Sequence, residues 1–302
     1  MVLNPSCSND NSGLTIVIAT LGGEVLSKTL RSIDASSVLP SEILICIPAV
    51  YKDKVKNLES SNVKIIDTNC IGQVAQRAFG FNIAANEFVM QLDDDVTLDS
   101  RCIEFLMESC KSENYLSVGP SLINNYTGSS VYKISKYKKY LRHFYSLILN
   151  GKWQFIPGTV DGAGTPFGVD PEGGEGLLKN LDWVAGGCVM HRKENLLHHN
   201  FYPFKGKAYG EDVIHSYLLR AKGINLAMDP RAKCGIEINR VEHDSIGTFF
   251  KSLIADFKVR KYYMSLNGRM NLRAYIYYIG MLVIYFCKKI NHYFKQFLKN
   301  YS

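Results

Sequence analysis

Short apolar runs alternate with amphipathic stretches along the first 92 residues of the chain. The runs, each containing β-branched or aromatic residues, are 14–20 (LTIVIAT), 42–47 (EILICI), 63–67 (VKIID) and 87–92 (EFVMQL). Between them, Leu26, Leu30 and Ile33 share one face of a helical pattern, and residues 72–85 give a second helix. Buried strands that alternate with helices predict βαβ units around a parallel sheet, so the fold class is α/β.

The alternation stops over residues 121–182, which contain a basic, aromatic stretch at 132–145 and a Gly- and Pro-rich run at 157–176. We predict a long excursion there, helical near residues 137–149 and otherwise loop. Long loops in compact domains are commonly binding loops or lids. The tyrosines and lysines also suit nucleic acid, but the body of the chain has no net positive charge, so no nucleic-acid partner is expected.

Three consecutive aspartates, Asp93, Asp94 and Asp95, directly follow the fourth predicted strand. Ligands of open α/β sheets bind at the carboxyl ends of the strands. Because adjacent carboxylates repel one another, a bound cation would offset the cost of placing them there. Two alternatives stay open, namely a solvated loop, or Asp99 and Ser100 as caps of the helix that follows.

Two later segments carry candidate chemistry. Gly186 and Gly187 precede an apolar run that ends at His191, where glycines either let a ligand approach the backbone or form a tight turn. Glu211 and Asp212 open an amphipathic helix, where the helix dipole stabilises carboxylates. The same position keeps a carboxylate ionised, so this pair is either a helix-start feature or a general base.

In this order, the segments resemble family 2 inverting glycosyltransferases with the GT-A fold, a group that includes bacterial capsule and lipopolysaccharide sugar transferases. LTIVIATLGG is similar to that family's first strand and nucleotide-binding turn. Residues 72–95, ending in QLDDD, are similar to its Arg-containing helix, the next strand and the D-x-D motif. LDWVAGGCVMHRKE resembles its donor and acceptor segment, and YGEDVIHSYLLRAKG its E-D helix. The resemblance covers residues 14–240 and implies a Rossmann-like, mainly parallel sheet flanked by helices.

The resemblance implies a role for each matching residue. Asp95, with His243 as a further ligand, would coordinate Mg²⁺ or Mn²⁺ between the donor phosphates, where the departing nucleotide diphosphate gathers negative charge. Asp212 would deprotonate the acceptor hydroxyl, and Glu211 would orient the acceptor. The other matches would surround the donor, with Ala19, Thr20 and Glu24 beside the nucleotide, Asp93 at the ribose next to Asp94, Arg77 at the nucleotide or its phosphates, and Gly186 and Gly187 beside the sugar.

The chain departs from the family pattern at three places. Pro48 and Ala49 stand where acidic residues usually end the second strand and read the base, and Asp67 after the third strand is the candidate replacement. Ala78 stands where an Asn often follows the helix arginine. The His that often follows the last core strand is not clearly placed, and His243 is the candidate for it.

Basic charge is concentrated at the C-terminus. The chain carries a net charge of +7, and residues 251–302 contain ten Lys or Arg against one acidic residue, Asp256. Within this region, residues 274–287 (AYIYYIGMLVIYFC) are uncharged and flanked by basic residues. A spanning helix needs about 20 residues, and this segment has only fourteen. We therefore predict an amphipathic helix in the interface of an anionic membrane. The alternatives are a helix packed on the protein's own core and a shallow re-entrant or single-span anchor.

The compartment follows from two features. Residues 1–13 contain neither a basic region nor an apolar one of the kind found in signal peptides. The eight cysteines are scattered without C-x-x-C spacing, which predicts reduced, buried thiols. We expect a cytoplasmic protein that lies peripherally on the inner face of the cell membrane.

We predict a GT-A catalytic domain over residues 1–245, with a nucleotide-binding half (1–120) and an acceptor-binding half (121–245), then a basic amphipathic helical tail (246–302). The expected function is inverting, hexosyltransferase-like transfer from a UDP-sugar, or a dTDP- or GDP-sugar, to a saccharide or lipid-linked saccharide in bacterial surface polysaccharide synthesis. One alternative is a non-catalytic nucleotide-sugar-binding or membrane-docking protein of the same fold. Another is a nucleotidyltransferase, which would normally show a basic Gly-rich loop where this chain has LGGEVLSK.

Overall fold

The computed structural model of the chain describes residues 13–114, 116–134, 136–150, 153–171, 174, 176–205, 208–237, 245–268 and 272–300. These residues form a mixed sheet with helices packed against it. The strands are β1 (Leu14–Ala19), β2 (Glu42–Pro48), β3 (Val63–Thr68), β4 (Phe88–Asp93), β5 (Val96–Leu98), β6 (Leu116–Asn124), β7 (Cys188–Arg192) and β8 (Asn225–Ile236). The helices are α1 (Leu26–Asp34), α2 (Gln73–Ile83), α3 (Cys102–Ser112), α4 (Lys136–Asn150), α5 (Glu211–Ala221), α6 (Ile246–Leu266) and α7 (Arg273–Asn300).

The strand order within the described sheet is β3-β2-β1-β4-β7-β6-β8-β5. Strands β3, β2, β1 and β4 pair in parallel, as the alternation of apolar runs and helices predicts. Strand β7 pairs antiparallel with both β4 and β6, and β5 pairs antiparallel with β8. The carboxyl ends of β1 and β4 are level, because Ala19 is the register partner of Asp93.

Helix α2 packs against the parallel half of the sheet. All six residues of β1 are buried, as expected for a parallel strand covered on both faces. Phe81 and Ala84 of the α2 segment share a buried apolar cluster with Val17 and Leu44 of the sheet. Gly80 permits this close approach, because a Cβ there would lie 2.5 Å from Val17 Cγ1.

Strand β6 is longer than the sequence indicates. The alternation was expected to break at residue 121, whereas β6 continues to Asn124. Gly119 and Pro120 interrupt its apolar pattern, and both residue types disfavour a central strand. The parallel ladder between β6 and β8 accommodates them through a register shift between Pro120 and Ser121. The helix predicted near residues 137–149 is present as α4.

The described residues divide into two compact units. The first takes those within 1–131, 171–208 and 215–238, and it holds the whole described sheet. The second takes those within 132–170, 209–214 and 239–302. Helices α6 and α7 form the predicted C-terminal helical extension. The boundaries predicted at residues 120 and 245 divide the chain by role and stay predictions.

Arg260 of helix α6 organises the second unit. Its Nε donates to Asp256 Oδ2 at 2.8 Å, and its Nη1 donates to Thr165 Oγ1 at 2.7 Å. The guanidinium also lies over the ring of Tyr277 at 4.6 Å, which joins α6 to α7. Farther along, the rings of Phe249 and Tyr285 stack with centroids 3.8 Å apart. None of the described helices combines the length and the apolar character needed to cross a bilayer.

The cysteines that the structure describes are free thiols. Five of them are buried, namely Cys46, Cys102, Cys110, Cys188 and Cys234. Cys70 is half-buried, and Cys287 of helix α7 is exposed. Burial raises the pKa of the Cys46 and Cys110 thiols to about 12, which keeps them protonated and unreactive.

Candidate active site

Asp93, the last residue of β4, is held from three directions. Its N–H donates to the carbonyl of Gly187 at 2.8 Å. Gln73 Nε2 donates to Asp93 Oδ1 at 2.7 Å, and the Arg77 guanidinium forms an ion pair with the same oxygen. Gln73 and Arg77 stand one turn apart on α2, so a single helical turn supplies both donors. These contacts fix the carboxylate at the carboxyl end of β4, a central strand of the sheet.

Asp94 is turned toward the end of β1. The Thr20 hydroxyl donates to Asp94 Oδ2, and Thr29 Oγ1 donates to the Asp94 carbonyl at 2.8 Å. Burial raises the pKa of the Asp94 carboxyl, the negative charge of Asp93 raises it further, and the Thr20 hydrogen bond opposes both. Asp94 therefore ties the aspartate turn to the first strand.

Asp95 is the exposed member of the three aspartates and occupies the turn before β5. Among the described residues, no group of three or more His, Cys, Asp or Glu side chains is placed to hold a metal ion. A site with only one or two carboxylates still fits Mg²⁺ or Mn²⁺ where a phosphate binds, because such ions commonly complete their shell with substrate phosphate and water. The chemistry of the aspartate turn fits such an ion.

Gln76 joins the ends of β1 and β2, a contact that the sequence analysis missed. Its buried amide nitrogen donates to the carbonyl of Thr20 at 2.9 Å and to that of Cys46 at 2.7 Å. Its side-chain oxygen accepts from Gly72 N at 3.2 Å. The signal was available in the sequence, since Gln73 and Gln76 are polar residues in the first turn of a helix that begins beside a strand end.

Gly186 and Gly187 lie beside the aspartate turn, and their predicted place beside a donor sugar stays a prediction. Gln91 Nε2 donates to the Gly186 carbonyl at 2.6 Å. A Cβ at Gly187 would lie 3.3 Å from Asp93 Oδ2 and 3.4 Å from Val96 Cγ2. A side chain at residue 187 would therefore crowd the Asp93 carboxylate.

Three further residues that the resemblance assigns to the donor belong to the first unit. Ala19 is buried at the end of β1, next to the Asp93 register position. Glu24 is exposed in the turn before α1. Asp67 is exposed near the end of edge strand β3, three strands from β4, which corresponds to about 14 Å across the sheet. Their roles toward a nucleotide stay predictions.

Glu211 and Asp212 form the first turn of α5 and belong to the second unit. Glu211 is buried and Asp212 is half-buried, with Asp212 Oδ1 accepting from Val213 N at 3.0 Å. The turn before them rests on helix α6, because a Cβ at Gly210 would lie 3.2 Å from Val259 Cγ1. His243, the predicted further metal ligand, lies outside the described residues.

A buried histidine pair in the first unit also escaped the sequence analysis. The His191 and His215 ring centroids are 5.5 Å apart. His191 Nδ1 shares a hydrogen bond with Ser117 Oγ at 2.8 Å, and His215 stacks on Phe201. Burial, together with the positive charge of Arg77, lowers the pKa of His215 to about 3 and also lowers that of His191. Both imidazoles are therefore neutral at pH 7.

The described fold matches a solved structure, that of GalNAc-T7 with UDP, GalNAc and Mn²⁺, at a TM-score of 0.55 and 16% sequence identity. The chain has the GT-A fold. The match covers 82% of this chain and 50% of that chain, so this chain spans half the length of the GalNAc-T7 structure. No family model matches the sequence, and no curated protein matches it. At this identity the likeness establishes the fold, which confirms the predicted fold class.

Proposed function

We propose that the chain is a metal-dependent glycosyltransferase that moves a sugar from a nucleotide-diphosphate donor to an acceptor hydroxyl. The observation that carries the proposal is the aspartate turn at the carboxyl end of β4. Asp93 is held there by Gln73 and Arg77, while Asp95 is exposed. The fold supports the same function, since GalNAc-T7 was solved with UDP, GalNAc and Mn²⁺.

The donor site would be built around the three aspartates. When bound, Mg²⁺ or Mn²⁺ would supply positive charge to balance the charge that gathers on the departing nucleotide diphosphate. Asp95 would hold the ion, with Asp94 bracing the turn through Thr20. Asp93 would accept a hydrogen bond from the donor ribose. Because Arg77 is buried and paired with Asp93, it would act as a positioning residue for that carboxylate.

Asp212 would act as the general base. As the acceptor oxygen forms its bond to the anomeric carbon, the hydroxyl proton passes to the Asp212 carboxylate. The bond between that carbon and the diphosphate oxygen breaks in the same displacement, and the nucleotide diphosphate leaves with the electron pair. A single displacement inverts the anomeric centre, so no second carboxylate nucleophile is required. Glu211, buried beside Asp212, would orient the acceptor.

We infer a narrower setting from the resemblance of the motifs to family 2 enzymes. The donor would be a UDP-sugar, with dTDP- and GDP-sugars as the other candidates. The acceptor would be a saccharide or lipid-linked saccharide in bacterial surface polysaccharide synthesis, met at the inner face of the cell membrane. The concentration of basic residues after residue 251 supports peripheral contact with an anionic membrane.

A thermal-shift screen tests the proposal. The full chain would be heated with each nucleotide-diphosphate sugar, with Mn²⁺ or with a chelator. A ligand that binds only the folded state at about 100 times its Kd adds about 2.7 kcal/mol of stability. We expect one donor to raise Tm only when the cation is present, followed by release of nucleotide diphosphate when an acceptor is added. Binding without a cation requirement and without turnover would instead support the non-catalytic alternative.

A further inference from the structure

Helix α4 turns an apolar face to solvent. Its exposed apolar residues follow the spacing i, i+1, i+4, i+7 and i+8, which places them on one side of the helix. They are Tyr140, Leu141, Phe144, Leu147 and Ile148, of which Tyr140 is 69% and Phe144 is 52% exposed. Trp153, 54% exposed, extends this face, because its ring meets that of Phe144 edge-on at 6.4 Å.

The opposite side of α4 is the one that packs within the second unit. Ser146 is buried, and its hydroxyl donates to the Gln154 carbonyl at 2.6 Å. The Tyr145 ring packs edge-on against Tyr277 of α7 at 5.9 Å. The exposed apolar residues of α4 are therefore additional to those that the unit uses for its own packing.

Helix α7 carries two apolar stripes. One is packed and includes Ala274, Tyr278 and Tyr285. The other is exposed at intervals of three and four residues, and its members are Ile276, Ile279, Val283, Phe286 and Ile290, each at least 45% exposed. A surface helix of a soluble protein normally buries its one apolar stripe and presents polar residues to water.

The two exposed stripes belong to neighbouring helices. Arg273 Nη1, at the start of α7, donates to the carbonyl of Ile148 near the end of α4 at 3.3 Å. Together with the contact between Tyr145 and Tyr277, this bond fixes α7 beside α4. We call the two exposed stripes of α4 and α7, together with Trp153, the docking face.

The charges on the two helices have one sign. In sequence, α4 contains three Lys and one Arg, and α7 contains four Lys and one Arg, with no Asp or Glu in either helix. Lys139 directly precedes Tyr140 of the exposed stripe on α4, and Lys288 of α7 is also exposed. Aromatic and aliphatic side chains flanked only by cations suit the interface of an anionic bilayer, where apolar burial and attraction to lipid charge add.

We propose that α4 and α7 together dock the protein on an anionic membrane surface. This deepens the peripheral membrane role proposed above and rests on it, while assigning half of the contact to α4. The apolar residues of the docking face would enter the interface, and the lysines would meet the lipid phosphates. Because a protein partner of such a face would have to be acidic around an apolar centre, an anionic bilayer is the simpler match to its chemistry.

Vesicle co-sedimentation of the full chain tests the inference. The probes are vesicles of phosphatidylcholine alone and vesicles that also contain phosphatidylglycerol. We expect binding to the anionic vesicles, and a loss of about tenfold or more in affinity for Phe144→Glu on α4 and for Val283→Glu on α7, because each removes a large apolar contact and adds repulsion. Val50→Glu is the matched control, since Val50 is 76% exposed in the first unit and should leave binding unchanged.

The outcomes separate the parts of the inference. If Val283→Glu releases the protein but Phe144→Glu does not, α4 has no part in docking, and the role of α7 alone survives. If the wild type ignores anionic vesicles and light scattering shows a dimer that Phe144→Glu disperses, the face serves a second copy of the chain. Donor-induced thermal shifts, measured without vesicles, report separately on the proposed transferase function. An unchanged Tm in each variant shows that its fold is intact.

Discussion

The guanidinium of Arg77 and the carboxylate of Asp93 form an ion pair in which the Arg77 side chain is 3% exposed and that of Asp93 is 25% exposed. The pair links the first turns of α2 to the end of β4. A charge this deeply buried is costly without its partner. The place where a donor would meet the protein is therefore also a place where the fold depends on one electrostatic contact.

Arg77→Met should lower the stability of the protein as well as its sugar transfer. Removal of one member of a buried pair costs about 3–5 kcal/mol, because it leaves an uncompensated charge. Since Asp93 is partly exposed, the expected loss is about 3 kcal/mol. Urea denaturation measures it. Lys179→Met breaks the exposed pair with Glu113 and should cost less than about 1 kcal/mol. Equal losses in the two variants would contradict the importance of burial.

Asp95→Ala and Asp212→Asn should each lower sugar transfer by about 100-fold or more, one by weakening cation binding and the other by removing the general base. The Tm of both variants should stay near the wild-type value, since Asp95 is exposed and Asp212 is half-buried. Asp53→Ala, whose side chain is 97% exposed, is the control. Near-full turnover in either test variant would reject that residue's role.

Two helical glycines should respond to alanine with opposite signs. At Gly80, a Cβ would lie 2.5 Å from Val17 Cγ1, so Gly80→Ala overpacks the core and should lower the free energy of unfolding by about 1–3 kcal/mol. At Gly280 a Cβ would meet no heavy atom within 4 Å. Gly280→Ala should therefore gain about 1 kcal/mol from helix propensity alone. Chemical denaturation of both variants compares the signs directly.

The buried imidazole of His215 should make the fold acid-sensitive. Its pKa falls from an ordinary 6.5 to about 3 in the folded protein, so the unfolded chain takes up a proton first as the pH drops. The stability that comes from keeping this imidazole neutral is complete above pH 6.5 and is lost progressively as the pH falls toward 3. Between pH 7 and pH 5 this amounts to about 2 kcal/mol for one such histidine.

His215→Phe should reduce this acid sensitivity, because phenylalanine keeps the stacking on Phe201 and has no group to protonate. Denaturation curves at several pH values give the slope of stability against pH. His199→Phe, at an exposed position, should leave the slope as it is in the wild type. A slope unchanged by His215→Phe would show that the imidazole takes up its proton in the folded protein at the same pH as in the unfolded chain.

Strands β1, β2 and β4 of the parallel half were predictable because each is buried almost throughout and so reads as a continuous apolar run, whereas edge strand β3 is partly exposed. The rest of the sheet gave weaker patterns. Strand β5 has only three residues, and β6 contains a Gly-Pro pair that a register shift in its ladder accommodates. Such a shift depends on the partner strand β8, which lies about a hundred residues away in sequence. Local pattern alone could not reveal it.

The aspartate turn was predictable because strand ends and acidic runs are local features. The contacts that position it were not predictable, because the side chains of Gln73 and Gln76 bond to groups on other elements of the fold. The histidine pair was hidden for the same reason, because His191 lies in β7 and His215 in α5. Sequence identifies candidate reactive groups, whereas the side chains that hold them become visible only after folding.

Cys287 gives the protein a native attachment point for a spectroscopic label. It is the exposed thiol among the described cysteines, and it directly follows Phe286, an exposed residue of α7. With Cys7 and Cys70 replaced by serine, a polarity-sensitive dye would attach there while the five buried thiols stay protected. Its emission would then report on the polarity around α7 in real time, during encounters with lipid or with substrate.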